Sequence, residues 1–140
     1  WSADQSVIVR EDSELNVVQA LMGDRMIGSQ TGTTGAGWVK DELIEKGVID
    51  KGKLRHYDTY VMAVRDLVNK NIDSVVVDSP VADTFTERQP VKVIARLVTG
   101  ENYGLAVKEG NSELLAEFNA GLEKIMDSGK YDELVKKWFE

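Results

Sequence analysis

The residues with the clearest chemical potential lie in "QTGTTG", residues 30–35, directly after the apolar run "MIG". Two glycines bracket Thr33 and Thr34, so the loop offers backbone N–H groups and two hydroxyls at a predicted helix start, which suits an anion. The G-x-x-x-x-G-K-[ST] spacing of a phosphate loop and its lysine are missing. The same residues also make an ordinary capped turn, which is the commoner use of such a junction.

A carboxylate provides the second candidate group. The run "IDSVVVDSP", residues 72–80, is β-branched and nearly all apolar, which is typical of a strand buried on both faces, and it ends at Asp78. Pro80 suits the first turn of a following helix with Ser79 as its cap. An anion site beside this carboxylate would match the two charged ends of an amino acid.

The surrounding elements decide whether these groups can meet. In residues 25–90, a strand pattern followed by a helix pattern occurs three times, which predicts a parallel sheet with right-handed crossovers. The strand candidates span 25–30, 53–58 and 72–80, and further ones span 6–10, 91–98 and 103–110. Ligands bind beyond the carboxyl ends of such strands, where the loop 30–35, Asp58 and Asp78 would share one edge, although Asp58 also fits the role of a helix cap.

The end of the chain differs in kind. "NSELLAEFNAGLEKIMDSG" and "KYDELVKKWFE" place apolar residues at helical spacing, so we expect two amphipathic helices joined at Gly129.

Composition excludes several classes of function. The net charge of -7 argues against nucleic-acid and anionic-membrane partners. No cysteine is present, so neither a disulfide nor a thiolate metal site is possible. No run approaches the roughly 18 apolar residues of a membrane span, and no signal peptide is visible at Trp1.

The single histidine, His56, lies in a strand candidate, where a structural or solvent-facing role is favoured over a general base. We therefore predict no catalytic residue, metal or cofactor.

Three stretches together carry a family resemblance. "IGSQTGTTG", "YDTYVMAVRDLVNKNIDSVVVDSPVA" and "YGLAVKEGNSELLAEFNAGLEKIMDSGKYDELVKKWF" resemble the periplasmic amino-acid-binding proteins of ABC importers, the bacterial extracellular solute-binding proteins of family 3. The resemblance covers nearly the whole chain, from about Ser6 to Phe139. It implies two α/β lobes that close on an amino acid.

The resemblance also implies how the chain is divided. Residues 1–10 would form a hinge crossing strand, and residues 11–100 the second lobe, an α/β unit with a parallel-rich mixed sheet and flanking helices. Residues 101–140 would form the returning hinge strand and C-terminal helices that belong to the first lobe. The bulk of the first lobe is then absent, as in a proteolytic product, a designed fragment or a split half. We expect such a half to bind an amino acid at millimolar affinity at best, because its site stays wet.

The predicted ligand-binding residues follow from the same resemblance. Thr34 would hold the ligand carboxylate through its hydroxyl and N–H, and Asp78 would take the α-ammonium. Gln30 would face the ligand side chain. Gly35 occupies a position that is often larger and polar, so a side-chain contact would be lost there. Gly32 and Thr33 complete the predicted set.

We therefore predict the non-enzymatic, substrate-binding component of an ABC transporter, which binds a polar amino acid and works with an inner-membrane permease. It would be periplasmic or extracellular, and lipid-anchored in a Gram-positive or archaeal source. The alternatives are the ligand-binding sensor domain of a receptor or histidine kinase and, ranked last, a dehydratase of aromatic amino-acid precursors. Since the C-terminal helices would lack the lobe they pack on, we also expect self-association through exposed apolar side chains. These are Leu114, Phe118, Leu122, Trp138 and Phe139.

Overall fold

The computed structural model describes residues 4–139, with Phe139 described through its backbone alone. The first three residues of the predicted hinge segment 1–10, and the Phe139 side chain predicted to self-associate, lie outside the described residues. The chain divides into two compact units, one ending at Glu101 and the other beginning at Asn102.

The first unit is built on one five-stranded sheet in the order β3-β2-β4-β1-β5. Its strands are β1 (Gln5–Arg10), β2 (Ile27–Gln30), β3 (Leu54–Tyr57), β4 (Ser74–Asp78) and β5 (Val91–Leu97). β2 pairs in parallel with β3 and β4, whereas β1 is antiparallel to both β4 and β5. Four of the five strands therefore run in one direction, which confirms the predicted mixed sheet, with two parallel and two antiparallel pairings. Their C-terminal ends meet at one side, which we call the carboxyl edge.

Helices cover both faces of this sheet. They are α1 (Val17–Leu21), α2 (Thr34–Trp38), α3 (Tyr60–Val68) and α4 (Ser79–Arg88); α2 continues as a π-helix, Val39–Ile44, and a 3-10 turn spans Lys51–Lys53. The side chains of β1 alternate between the two faces of the sheet, so each face needs a layer of helices to cover it. Val7 and Val9 pack into the core that α1 and α2 cover, while Ile8 between them packs into the core that α3 and α4 cover.

The second unit contains α5 (Ser112–Asp127) and α6 (Lys130–Phe139). Gly129 joins them with a φ of +73°, a left-handed conformation that glycine adopts without steric cost. The prediction of two helices joined at this glycine is confirmed. Within the described residues, no helix combines the length and apolar character needed to cross a membrane.

Three sequence-based assignments are wrong. Residues 103–110 form no strand, because no neighbouring strand pairs with them in the described chain and Leu105 within them is exposed. Ser79 is the first residue of α4 rather than its cap, and its hydroxyl lies 2.8 Å from that of Ser6. Thr59, not Asp58, caps α3, since its hydroxyl accepts the N–H of Met62.

Candidate functional site

The loop 30–35 turns from β2 into α2 at the carboxyl edge. The Thr31 N–H donates to the Tyr57 carbonyl at 2.9 Å, which ties the loop to the end of β3. Gly32 has a φ of +75°, so the turn itself explains this glycine. The Thr33 hydroxyl accepts the Ala36 N–H at 3.4 Å and donates to the Gln30 carbonyl at 2.8 Å. Thr33 is therefore the cap of α2, in agreement with the ordinary capped turn that the sequence also predicts for these residues.

Thr34 begins α2 and directs its hydroxyl to a carboxylate of the chain itself. Its Oγ1 donates to Oε1 of Glu101 at 2.6 Å. Oε2 of the same carboxylate accepts from Nε2 of Gln5 at 2.8 Å, and Nε2 also donates to Oδ1 of Asp78 at 2.9 Å. The structure thus brings Thr34 and Asp78 into one hydrogen-bonded cluster, which we call the edge cluster: Thr34, Glu101, Gln5 and Asp78.

Gln5 holds this cluster together from the sheet. It is fully buried and lies opposite Asp78 on one side and Leu97 on the other. Two carboxylates face Nε2, which fixes the orientation of the amide, because only nitrogen can donate to both. Oε1 of Gln5 is buried with no hydrogen-bond partner among the described residues. The amide is therefore an internal bridge between two negative charges.

Gly35 faces the sheet rather than open space. A Cβ at this position would lie 2.7 Å from Oε1 of Gln5 and 3.1 Å from the carbonyl of Val76. The geometry leaves no room here for a side chain that could reach a ligand. Gly35 can contact a ligand only through its backbone, and its place in the predicted ligand set stays a prediction.

The side-chain oxygen of Gln30 forms a hydrogen bond with the start of α3. Oε1 accepts the backbone N–H of Tyr60 at 3.1 Å, which satisfies one of the open donors at the start of that helix. Its predicted position against a ligand side chain stays a prediction.

Tyr60 places a further polar group near the edge cluster. Its hydroxyl is buried, and although the hydroxyls of Ser29 and Thr33 are near, neither makes a hydrogen bond of normal geometry with it. Burial raises the pKa of Tyr60, and the negative charges of Asp78 and Glu101 act in the same direction. Two carboxylates and an unionised phenol therefore lie together in this part of the first unit.

Sequence reasoning missed Gln5, Tyr60 and Glu101. Glu101 carried a usable signal, because it follows the predicted strand 91–98 and so stands at a fourth strand end on the carboxyl edge. Tyr60 falls in the apolar stripe of α3, which accounts for its ring but not for its hydroxyl. Gln5 directly precedes an apolar strand and offered no pattern of its own.

Two further polar side chains, Asp73 and His56, lie apart from this cluster. Asp73 precedes β4 at its opposite end, where it accepts from Arg25 Nη1 at 3.0 Å and from the Met26 N–H at 2.9 Å. His56 is exposed on β3, in agreement with the solvent-facing role expected for it. Among residues 4–139, no three His, Asp or Glu side chains are grouped so that they could hold a metal ion.

Comparisons with known proteins agree on one family. The profile of the bacterial extracellular solute-binding proteins, family 3, matches residues 1–140. The ABC transporter glutamine-binding protein GlnH of Bacillus subtilis (strain 168) is 28% identical over 141 residues, which cover 100% of this chain and 50% of that protein. This chain therefore spans about half the length of the curated relatives it matches.

Solved structures give the same result. An ancestral arginine-binding protein bound to glutamine has a TM-score of 0.84 at 32% identity, over 99% of this chain and 60% of that one. An ancestral amino acid-binding protein, described as a precursor of cyclohexadienyl dehydratase, has a TM-score of 0.77 at 28% identity, over 97% and 56%. With its whole length matched by the family profile, the chain belongs to the bacterial extracellular solute-binding proteins of family 3.

Proposed function

We propose that this chain provides one wall of the binding site of an ABC-transporter substrate-binding protein for a polar amino acid. Asp78 binds the α-ammonium, and Thr34 binds the α-carboxylate through its hydroxyl and N–H. The observation that carries the proposal is the edge cluster, in which these two residues from different strand ends are linked through Gln5 and Glu101. A carboxylate can accept from the ammonium of a zwitterion, and a hydroxyl can donate to its carboxylate.

The proposed domain organisation follows the family. Residues 1–10 cross between lobes, 11–100 form the second lobe, and 101–140 return to the first lobe. Since the ligand is clamped between two lobes, this chain alone leaves one side of it in water, where each polar contact is weak. The expected dissociation constant of the chain alone is millimolar or weaker.

The proposed setting is the periplasm or the cell exterior, with an ABC permease as partner and no catalytic step. Support comes from relatives that are named as binding proteins, including the glutamine-binding protein GlnH and an ancestral arginine-binding protein. The likeness to a dehydratase precursor keeps an enzymatic relative as the second candidate. A sensor domain of the same fold would use the same ligand contacts.

Replacement of Asp78 tests this function. Titration of the 15N-labelled chain with L-glutamine and L-arginine should perturb amides at residues 30–35 and 78–79. D78N should weaken binding about tenfold, because it removes a charge-assisted hydrogen bond. D58N is the matched control, since Asp58 is an exposed carboxylate that follows β3 at the same edge. Equal effects of the two variants, or none from D78N, would show that Asp78 does not bind the ammonium.

Self-association of the second unit is a separate proposal. α5 and α6 carry an apolar face, defined by Leu114, Phe118, Leu122 and Trp138, and each of these side chains is more than a third exposed. Exposed apolar side chains on adjacent helices favour association with another apolar surface. A second copy of the chain offers that surface.

A further inference from the structure

The hydroxyl assigned to the ligand carboxylate already holds a carboxylate. Oε1 of Glu101 accepts from Oγ1 of Thr34 at 2.6 Å, a short bond of the kind that ionised acceptors make. The inference drawn from this bond rests on the proposed function, because the same Thr34 hydroxyl would bind the carboxylate of the amino acid.

Glu101 is held in that position from both sides. Its second oxygen accepts from Nε2 of the fully buried Gln5 at 2.8 Å. The segment that carries it is tied to the chain start, since the Thr99 N–H donates to Oδ1 of Asp4 at 3.0 Å. Each carboxylate oxygen therefore has its own donor, as the carboxylate of a bound amino acid would.

We propose that Glu101 is an internal competitor for the amino-acid site, and that a ligand binds by exchanging its α-carboxylate for that of Glu101 at Thr34. Two carboxylates cannot accept the same hydroxyl proton, and their like charges repel each other at hydrogen-bond separation. After the exchange, Gln5 keeps its bond to Asp78, so the ammonium site stays in place.

The proposal predicts that removal of the competing charge tightens binding. E101Q keeps the size of the side chain but removes its charge, and E101A removes the contact. In NMR titrations with L-glutamine, we expect dissociation constants about 3- to 10-fold lower than that of the unmodified chain, with E101A at least as low as E101Q. E87Q is the matched control, because it changes the net charge equally at an exposed position on α4 and should bind like the unmodified chain.

A second readout follows the exchange directly. The side-chain carboxyl 13C resonance of Glu101 in the unmodified chain should shift as L-glutamine saturates the site, and the Thr34 amide should shift with the same midpoint. A static Glu101 resonance during saturation would overturn the proposal.

The outcomes separate this inference from the proposed function. Binding at residues 30–35 and 78 with unchanged affinity in E101Q and E101A overturns the exchange but leaves the function. Weaker binding in both variants makes Glu101 a ligand contact and also overturns it. No binding in any variant, or shifts confined to other residues, overturns both.

Discussion

Tyr57 shows, at the scale of a residue, how the end of β3 is anchored to its neighbours. Its carbonyl anchors Thr31 of the loop, while its hydroxyl donates to Oδ2 of Asp66 at 2.8 Å. The guanidinium of Arg55 lies 5.3 Å from the ring centroid. Burial, followed by the bond to Asp66, raises the pKa of Tyr57 to about 12. The end of β3 is therefore fixed by a phenol that stays protonated well above neutral pH.

This pKa gives an alkaline signature. The unfolded chain loses the Tyr57 proton near pH 10, whereas the folded chain keeps it until about pH 12. Between these values the folded state binds more protons, so stability falls as pH rises. Urea unfolding from pH 9 to 11.5 should show a steeper loss in the unmodified chain than in Y57F.

Absorbance at 295 nm provides the matching optical test. One late tyrosinate component of the unmodified chain should be lost in Y57F, while the contribution of Tyr60, whose pKa is also raised by burial, should remain. Titration of all four tyrosines near pH 10 would contradict the assigned environment.

At the scale of the element, α2 is positioned by glycines with opposite surroundings. Gly35 faces Gln5 and the Val76 carbonyl, whereas a Cβ on Gly37 would meet nothing within 4 Å. The first glycine lets the helix approach β1 and β4 closely, and the second only lowers helix propensity. The position of Thr34 depends on that close approach.

Alanine at each glycine should have opposite effects. G35A should lower the free energy of unfolding by about 1–3 kcal/mol, since its methyl group collides with backbone as well as side chain. G37A should raise it by about 0.5–1 kcal/mol. Urea denaturation of both variants tests the pair, and a neutral G35A would show that α2 can lift from the sheet at little cost.

The strands and helices of the first unit were largely predictable, because β-branched runs, Gly and Pro positions and helix periodicity are local. The failures have long-range causes. Residues 103–110 have a strand composition, but a strand needs a neighbour, which local sequence does not report. Ser79 resembles a cap by type, yet it is the first residue of α4, and the cap position falls one residue earlier, on Asp78 at the end of β4.

The candidate site was predictable only in part for the same reason. Thr34 and Asp78 could be placed on one edge from strand direction alone. Their linkage through Gln5 required the antiparallel register of β1, which sets Gln5 opposite Asp78. Glu101 required the path of the chain after β5. These contacts join residues 67 to 96 positions apart in sequence, which leave no local pattern.

At the scale of the whole molecule, the exposed apolar face of α5 and α6 predicts concentration-dependent association. Leu122 is 49% exposed and Trp138 is 68% exposed. In sedimentation velocity, the unmodified chain should sediment faster as concentration rises, and L122E should weaken this dependence because it places a charge in the interface.

V61E is the control for that experiment. Val61 is 65% exposed on α3 of the first unit and lies outside the apolar face, so V61E should associate like the unmodified chain. A constant monomeric sedimentation coefficient for the unmodified chain across the range would show that no second copy covers the face.

The central claim is that one edge of this chain binds both charged ends of an amino acid. The most direct measurement compares 15N chemical-shift perturbations by two half-blocked ligands, N-acetylarginine and arginine amide. The account predicts that the first, which keeps the carboxylate, perturbs residues 32–35, whereas the second, which keeps the α-ammonium, perturbs residues 78 and 79. Perturbation of the same residues by both ligands, or of residues away from the carboxyl edge, would contradict the account.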